Sequence, residues 1–171
     1  MKWTPGQTAS TASYDCPLCK GLGYLSNRII CVCVYRHVFR SCHRTFRRCA
    51  AADPYTRVVT FERTRNAVDR RLTWARRNED FCADFQAAGD RALPDRLLPV
   101  FRFHHLHGAS ISLLARRLGT QESNLKHMIY EVEVFVGREI AHGKPYSLYP
   151  PYDYMHAGCA LQECDRSAVL V

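Results

Sequence analysis

The sequence predicts a mainly α-helical protein in which a small cysteine-rich module precedes a helical domain that ends in two helices joined by a tight turn. Three observations predict it. Cysteines recur in two close pairs, Cys16/Cys19 and Cys31/Cys33. Residues 33–49 and 97–140 place apolar side chains three and four positions apart, the spacing of a helix face. Gly119 stands where one such run stops and the next begins. With 171 residues and 47% hydrophobic content, the chain has material for one ordinary domain or two small ones.

The opening MKWTPGQTASTAS is small and polar and has no apolar core of the kind an export signal needs, so residues 1–14 are expected to form a disordered tail. The longest apolar run, IICVCVY at 29–35, is far too short to cross a bilayer. No membrane partner is expected, and the expected location is cytoplasmic. Nine cysteines would there stay reduced, which makes metal ligation the leading use of any cluster. Six of the nine lie within the first fifty residues.

Residues 15–52 are expected to hold a zinc module and an arginine-rich helix. Zinc takes four soft ligands in a tetrahedron, and each short loop folds two thiolates onto one side of the ion. Cys16, Cys19, Cys31 and Cys33 are the expected ligands of a structural Zn2+. Gly21 and Gly23 leave the backbone free to turn its amides toward sulfur. The stretch CPLCKGLG resembles the zinc knuckles of zinc ribbons and of the cysteine-rich region of J-domain co-chaperones. Cys-Val-Cys is one residue shorter than the usual second pair, so His37, or Cys42 with His43, stand as alternatives for the fourth ligand. No Asp or Glu occurs between residues 16 and 52, so a local general base is missing. A closed, structural site is expected rather than an enzyme, and no residue is assigned a catalytic role.

The helix CVYRHVFRSCHRTFRRC lines up Val34, Val38, Phe39, Cys42, Phe46 and Cys49 on one stripe. Arg36, Arg40 and Arg44, with Arg47 and Arg48, fill much of the rest, a face suited to a phosphate backbone. Charge supports the same partner: the first 52 residues carry eight Lys or Arg against Asp15 alone, within a chain of net charge +8.

Residues 53–95 are expected to connect the halves. Asp53-Pro54 breaks the helix, YTRVVTF at 55–61 reads as a short strand or extended linker, and the charged stretch that follows holds one or two helices. His104 and His107 share a helix face, but they sit at the end of a helix whose position has a structural explanation in the next segment.

Residues 96–143 are expected to form a helix-turn-helix. Val100 to Leu106 is the supporting helix, ended at His107-Gly108, and Ser110 or Ser112 is available to cap the next. The first helix of the pair then supplies Leu114, Ala115 and Leu118, the turn is Gly119, and the second supplies Leu125, Met128 and Ile129. The span HLHGASISLLARRLGTQESNLKHMIYEVE resembles region four of bacterial sigma factors, without a gap. That resemblance implies a DNA-binding transcription regulator of a bacterium or phage, with double-stranded DNA and RNA polymerase as partners. It implies that Gln121, Glu122, Asn124, Lys126 and His127 face base edges in the major groove, with Arg116, Arg117 and Tyr130 toward phosphates. Sigma recognition helices continue with arginines, whereas this one continues Tyr130-Glu131-Val132-Glu133. The acids favour an alternative, a polymerase-binding adaptor of the antiterminator or anti-sigma kind that acts through protein contacts; a zinc enzyme ranks third. Residues 144–171, opened by the proline-broken KPYSLYPPYDY, are expected to form an extended tail.

Overall fold

The computed structural model describes residues 5–26, 29–51 and 65–142, with side chains of the 65–92 helix described from Glu79 onward. The expected strand at 55–61 and the tail at 144–171 lie outside the described residues. Among the described residues the chain is helical, apart from the cysteine loops and one isolated antiparallel bridge between Tyr24 and Ile30.

The first helix corrects an expectation. Residues 5–11, read as part of a disordered tail, form α1 (Pro5–Thr11). Its threonines are buried because their hydroxyls turn onto the helix itself: Thr8 Oγ1 donates to the Pro5 carbonyl at 3.0 Å and Thr11 Oγ1 to Gln7 at 2.6 Å. Thr8 lies flush on the cysteine loop, where a Cβ on Gly23 would meet its carbonyl oxygen at 2.4 Å. Gly23, with φ +76°, is therefore required both for the turn and for the docking of α1.

α2 (Val32–Ala51) buries Val34, Val38, Phe39, Cys42 and Phe46, as its stripe predicts, and also Tyr35. α3 (Arg65–Ala92) is one continuous helix that brings Phe81, Phe85 and Ala88 against it. The supporting element is α4 (Leu98–Val100) followed by a wider π-helical segment, Phe101–Leu106, in place of one α-helix, and Gly108 at φ +72° follows it.

α5 (Ile111–Leu118) starts at Ser110, whose hydroxyl accepts from the Leu113 amide, and stops at Gly119 in the left-handed region at φ 61°. α6 (Glu122–Ala141) follows directly. Leu114, Ala115 and Leu125 are buried as expected and Met128 and Ile129 are partly so. Leu118 is not: it is 37% exposed, because the helix ends there and its side chain falls beyond the rim of the core.

One continuous core joins α2, α3, α4, the π-helical segment, α5 and α6. α2, grouped with the cysteines in the sequence-based division, thus belongs as much to the carboxy-terminal bundle. A second, smaller cluster consists of Cys16, Cys19, Cys31 and Val34, with Ala12, Leu25, Ile30 and Cys33 at its edge. α2 and α6 approach so closely that a Cβ on Gly137 would lie 2.0 Å from the Tyr35 carbonyl oxygen. None of the helices among the described residues is long and apolar enough to cross a membrane.

Candidate metal centre and nucleic-acid interface

The four cysteine ligand atoms expected from the sequence lie within 4.8 Å of one another. Cys16 Sγ is 3.7 Å from Cys31 Sγ, and Cys19 Sγ is 3.5 Å from Cys33 Sγ. These separations exclude disulfides, whose sulfurs stand about 2.05 Å apart. They fit a shared ion, since four sulfurs at about 2.3 Å in a tetrahedron would be about 3.8 Å from each other. Cys16, Cys19 and Cys31 are buried and Cys33 is half-buried. The donor set is one that could bind a metal ion.

Local structure explains how so short a second pair works. Cys31 immediately precedes α2 and Cys33 lies in its first turn, so the helix start itself replaces the missing loop residue. The Cys33 amide in that turn reaches the Cys31 thiol and lowers it against the larger effect of burial. In the first knuckle the amides of Cys19 and Leu18 reach Cys16 and hold its thiol down at about 7, against the opposing effect of burial. Burial pushes the Cys31 and Cys33 thiols up, with the Ser13 amide partly relieving Cys33. The amides that reach Cys16 thus come from within the loop, and not from Gly21 or Gly23.

The alternative fourth ligands are placed elsewhere. His37 is exposed on α2. Cys42 is buried in the main core, where desolvation raises its thiol well above the usual range. His43 Nε2 donates to the His105 carbonyl at 2.8 Å. His104 and His107 form no metal cluster; among the described residues such a cluster is found only at the four cysteines. His104 Nδ1 lies 2.8 Å from the Ala109 carbonyl, and His105 is the buried member of the stretch, packed edge-on to Phe39 and His43.

The residues expected to meet nucleic acid divide into two groups. Gln121, Glu122, Asn124, Lys126 and His127 are all exposed on the first turns of α6, with Leu125 fully buried among them as the anchor. Arg116 and Arg117 are exposed on α5, and Arg44 on α2. Arg36 and Arg40, by contrast, turn to α6. Arg36 Nε donates to Glu133 Oε2 at 2.8 Å, and Arg40 Nε and Nη2 donate to the same carboxylate at 3.3 and 3.2 Å. The Arg36 guanidinium also covers the Tyr130 ring, 4.3 Å from its centroid. These three side chains take part in the joint between α2 and α6, while Arg40 and Tyr130 keep exposed surface.

Glu133 is the residue that the sequence reading missed. It lies on the stripe that carries the partly buried Ile129 and the buried Val136 and Ile140, and an acid at such a position requires a cation opposite it. That phase was the available signal. Glu131 pairs with Arg96 at 2.8 Å, so the two acids that distinguish this helix from an arginine-rich one have partners within the chain.

The fold and the site together define a helical protein with a four-cysteine cluster that could bind a metal ion and a helix whose first turns carry exposed polar side chains. Searches of known protein families, curated proteins and solved structures return no match to it.

Proposed function

We propose that the protein is a zinc-containing, DNA-binding transcription regulator of a bacterium or phage, acting in the cytoplasm, in which α5, the Gly119 turn and α6 serve as a helix-turn-helix of the sigma-region-four kind. The observation that carries this reading is the division of α6. From Val132 onward it is packed into the core, whereas Gln121, Glu122, Ser123, Asn124, Lys126 and His127 face outward around one buried residue, Leu125. Nine residues of helix, from Glu122 to Tyr130, run about 13 Å, a length that matches the major groove, about 12 Å wide. Amide and ammonium side chains at its start are suited to base edges, and Arg116 and Arg117 to the flanking phosphates. Zinc suits a four-thiolate tetrahedral set with no open position, so its role is structural.

A second reading is favoured by a different observation. A groove of about 450 Å3, lined by Phe103, Ala109, Leu113, Leu114, Arg116 and Arg117, opens beside α5. Exposed apolar surface of this kind suits protein contact, and the adaptor that acts on RNA polymerase would use it. The internal pairing of Glu131 and Glu133 withdraws the support those acids lent to that alternative.

Selection of duplexes from a random DNA library by the zinc-loaded protein, with and without RNA polymerase, tests both. A sequence motif recovered by the protein alone is the expected result, with Lys126→Ala changing preference at one position by about 1–3 kcal/mol. Recovery only with polymerase would establish the adaptor, and no motif under either condition would refute DNA reading.

A further inference from the structure

The metal centre and the exposed half of α6 are joined by three successive steps along the start of α2. Cys33 lies in the first turn of α2. Two residues on, the Tyr35 carbonyl meets Gly137 on α6, at a distance that excludes any side chain there. One residue further, Arg36 binds Glu133 and covers Tyr130. Tyr130, Glu133 and Gly137 are spaced three and four apart and so form one face of α6. Tyr130 lies two residues before Val132, from which the helix is packed into the core.

We propose that occupancy of the four-cysteine centre by a divalent ion, Zn2+ by its chemistry, governs how α6 presents its first half, so that the metal regulates DNA binding. The inference rests on the DNA-reading role of α6 proposed above. Its physical basis is the smallness of the cysteine cluster. Apart from the ligands, that cluster has Val34 as its one fully buried apolar member, too little surface to hold four thiols and a helix start together without an ion. The first turn of α2 is held through Cys31, whose carbonyl accepts from the Val34 amide at 3.0 Å and whose sulfur is reached by the Cys33 amide, so the turn frays when that end is released. Arg36 lies just past that turn, so fraying withdraws it from Glu133 and Tyr130. Tyr35 and, from Val38 onward, the rest of α2 are held by the main core, which confines the change to the helix start and the flank that carries the Arg36 side chain. The ion thereby binds one arrangement of α6 better than the other, as a coupling between two sites requires.

Hydrogen exchange of the full chain, zinc-loaded and after anaerobic chelation under reducing conditions, tests the link without DNA. The expected result is exchange faster by about tenfold or more at residues 31–37 and 128–137 with no change at 81–88 and 97–101. Loss confined to 16–37 would overturn the proposal, and so would uniform loss throughout the chain. Zinc-loaded Arg36→Ala should reproduce the acceleration at 128–137 while retaining its metal, with partial return in Arg36→Lys, which keeps the charge but not the planar stack. A wild-type pattern in Arg36→Ala would exclude Arg36 as the link. Binding to a selected duplex should fall about tenfold or more on chelation. Absence of duplex binding in both states would refute the DNA reading alone, since the exchange result decides the coupling by itself.

Discussion

Arg36 donates through Nε to the Glu133 carboxylate at 2.8 Å, across 97 residues of chain, and this pair ties the helix that follows the cysteines to the helix that ends the bundle. Glu133 is only 8% exposed, and Arg40 supplies it with a second guanidinium. A buried carboxylate deprived of its cations retains its desolvation cost, so Arg36→Ala is expected to destabilise by about 2 kcal/mol. Arg40→Ala, whose own side chain is more exposed than that of Arg36, should cost less than about 1 kcal/mol. Urea unfolding of both variants and of Glu133→Gln checks the order; equal losses for the two arginines would contradict it.

The fourth metal ligand can be assigned by stoichiometry. Cys33→Ser should lower bound zinc below one per chain or weaken its affinity severalfold or more, since a hydroxyl is a poor substitute for a soft thiolate. Cys42→Ser should leave the metal in place, although it puts a hydroxyl in an apolar core at a cost of about 1–3 kcal/mol. Native mass spectrometry of the two variants separates these outcomes. Zinc retained by Cys33→Ser and lost by Cys42→Ser would reverse the assignment.

His105 gives the fold a dependence on pH. Burial, then the nearby His43 and His104, hold its pKa down to about 3 from 6.5, and burial likewise lowers His43. A base whose folded pKa is depressed binds protons first in the unfolded chain, so stability is complete above about 6.5 and falls as the pH drops from there toward 3. At pH 5 the loss from His105 is at most about 2 kcal/mol. The check is the difference in unfolding free energy between pH 7 and pH 5, compared with His105→Leu, which should lose less over that range. An identical decline in the variant would assign the acid sensitivity elsewhere.

Gly137→Ala should be among the most damaging single changes, because the added carbon meets the Tyr35 backbone at 2.0 Å and neither helix has a flexible tip to move aside. About 3 kcal/mol or more is expected. Gly108→Ala meets nothing within 4 Å and bears only the strain of its positive φ, about 1 kcal/mol. Thermal melts of the pair measure the contrast, and comparable losses would mean that α2 and α6 can separate at little cost.

The sequence by itself determined the two close cysteine pairs, the apolar stripe of α2, a serine cap before α5 and the Gly119 turn. Each of these is written within a short stretch, the longest running from Cys16 to Cys33, where spacing and side-chain chemistry act directly. α1 escaped it because a polar segment that satisfies its own hydroxyls has no apolar periodicity to read. The roles of Arg36, Arg40 and Tyr130 escaped it for another reason. An arginine on the polar side of a helix looks solvated until its neighbour is known, and the neighbour, Glu133, lies 97 residues away from Arg36. Tertiary structure alone decided that Cys33 and not Cys42 joins the cluster, and that Glu131 and Glu133 of α6 pair with arginines of the same chain. It likewise decided that the four-cysteine cluster and α6 share one helical strut, because contacts between distant segments depend on how helices cross.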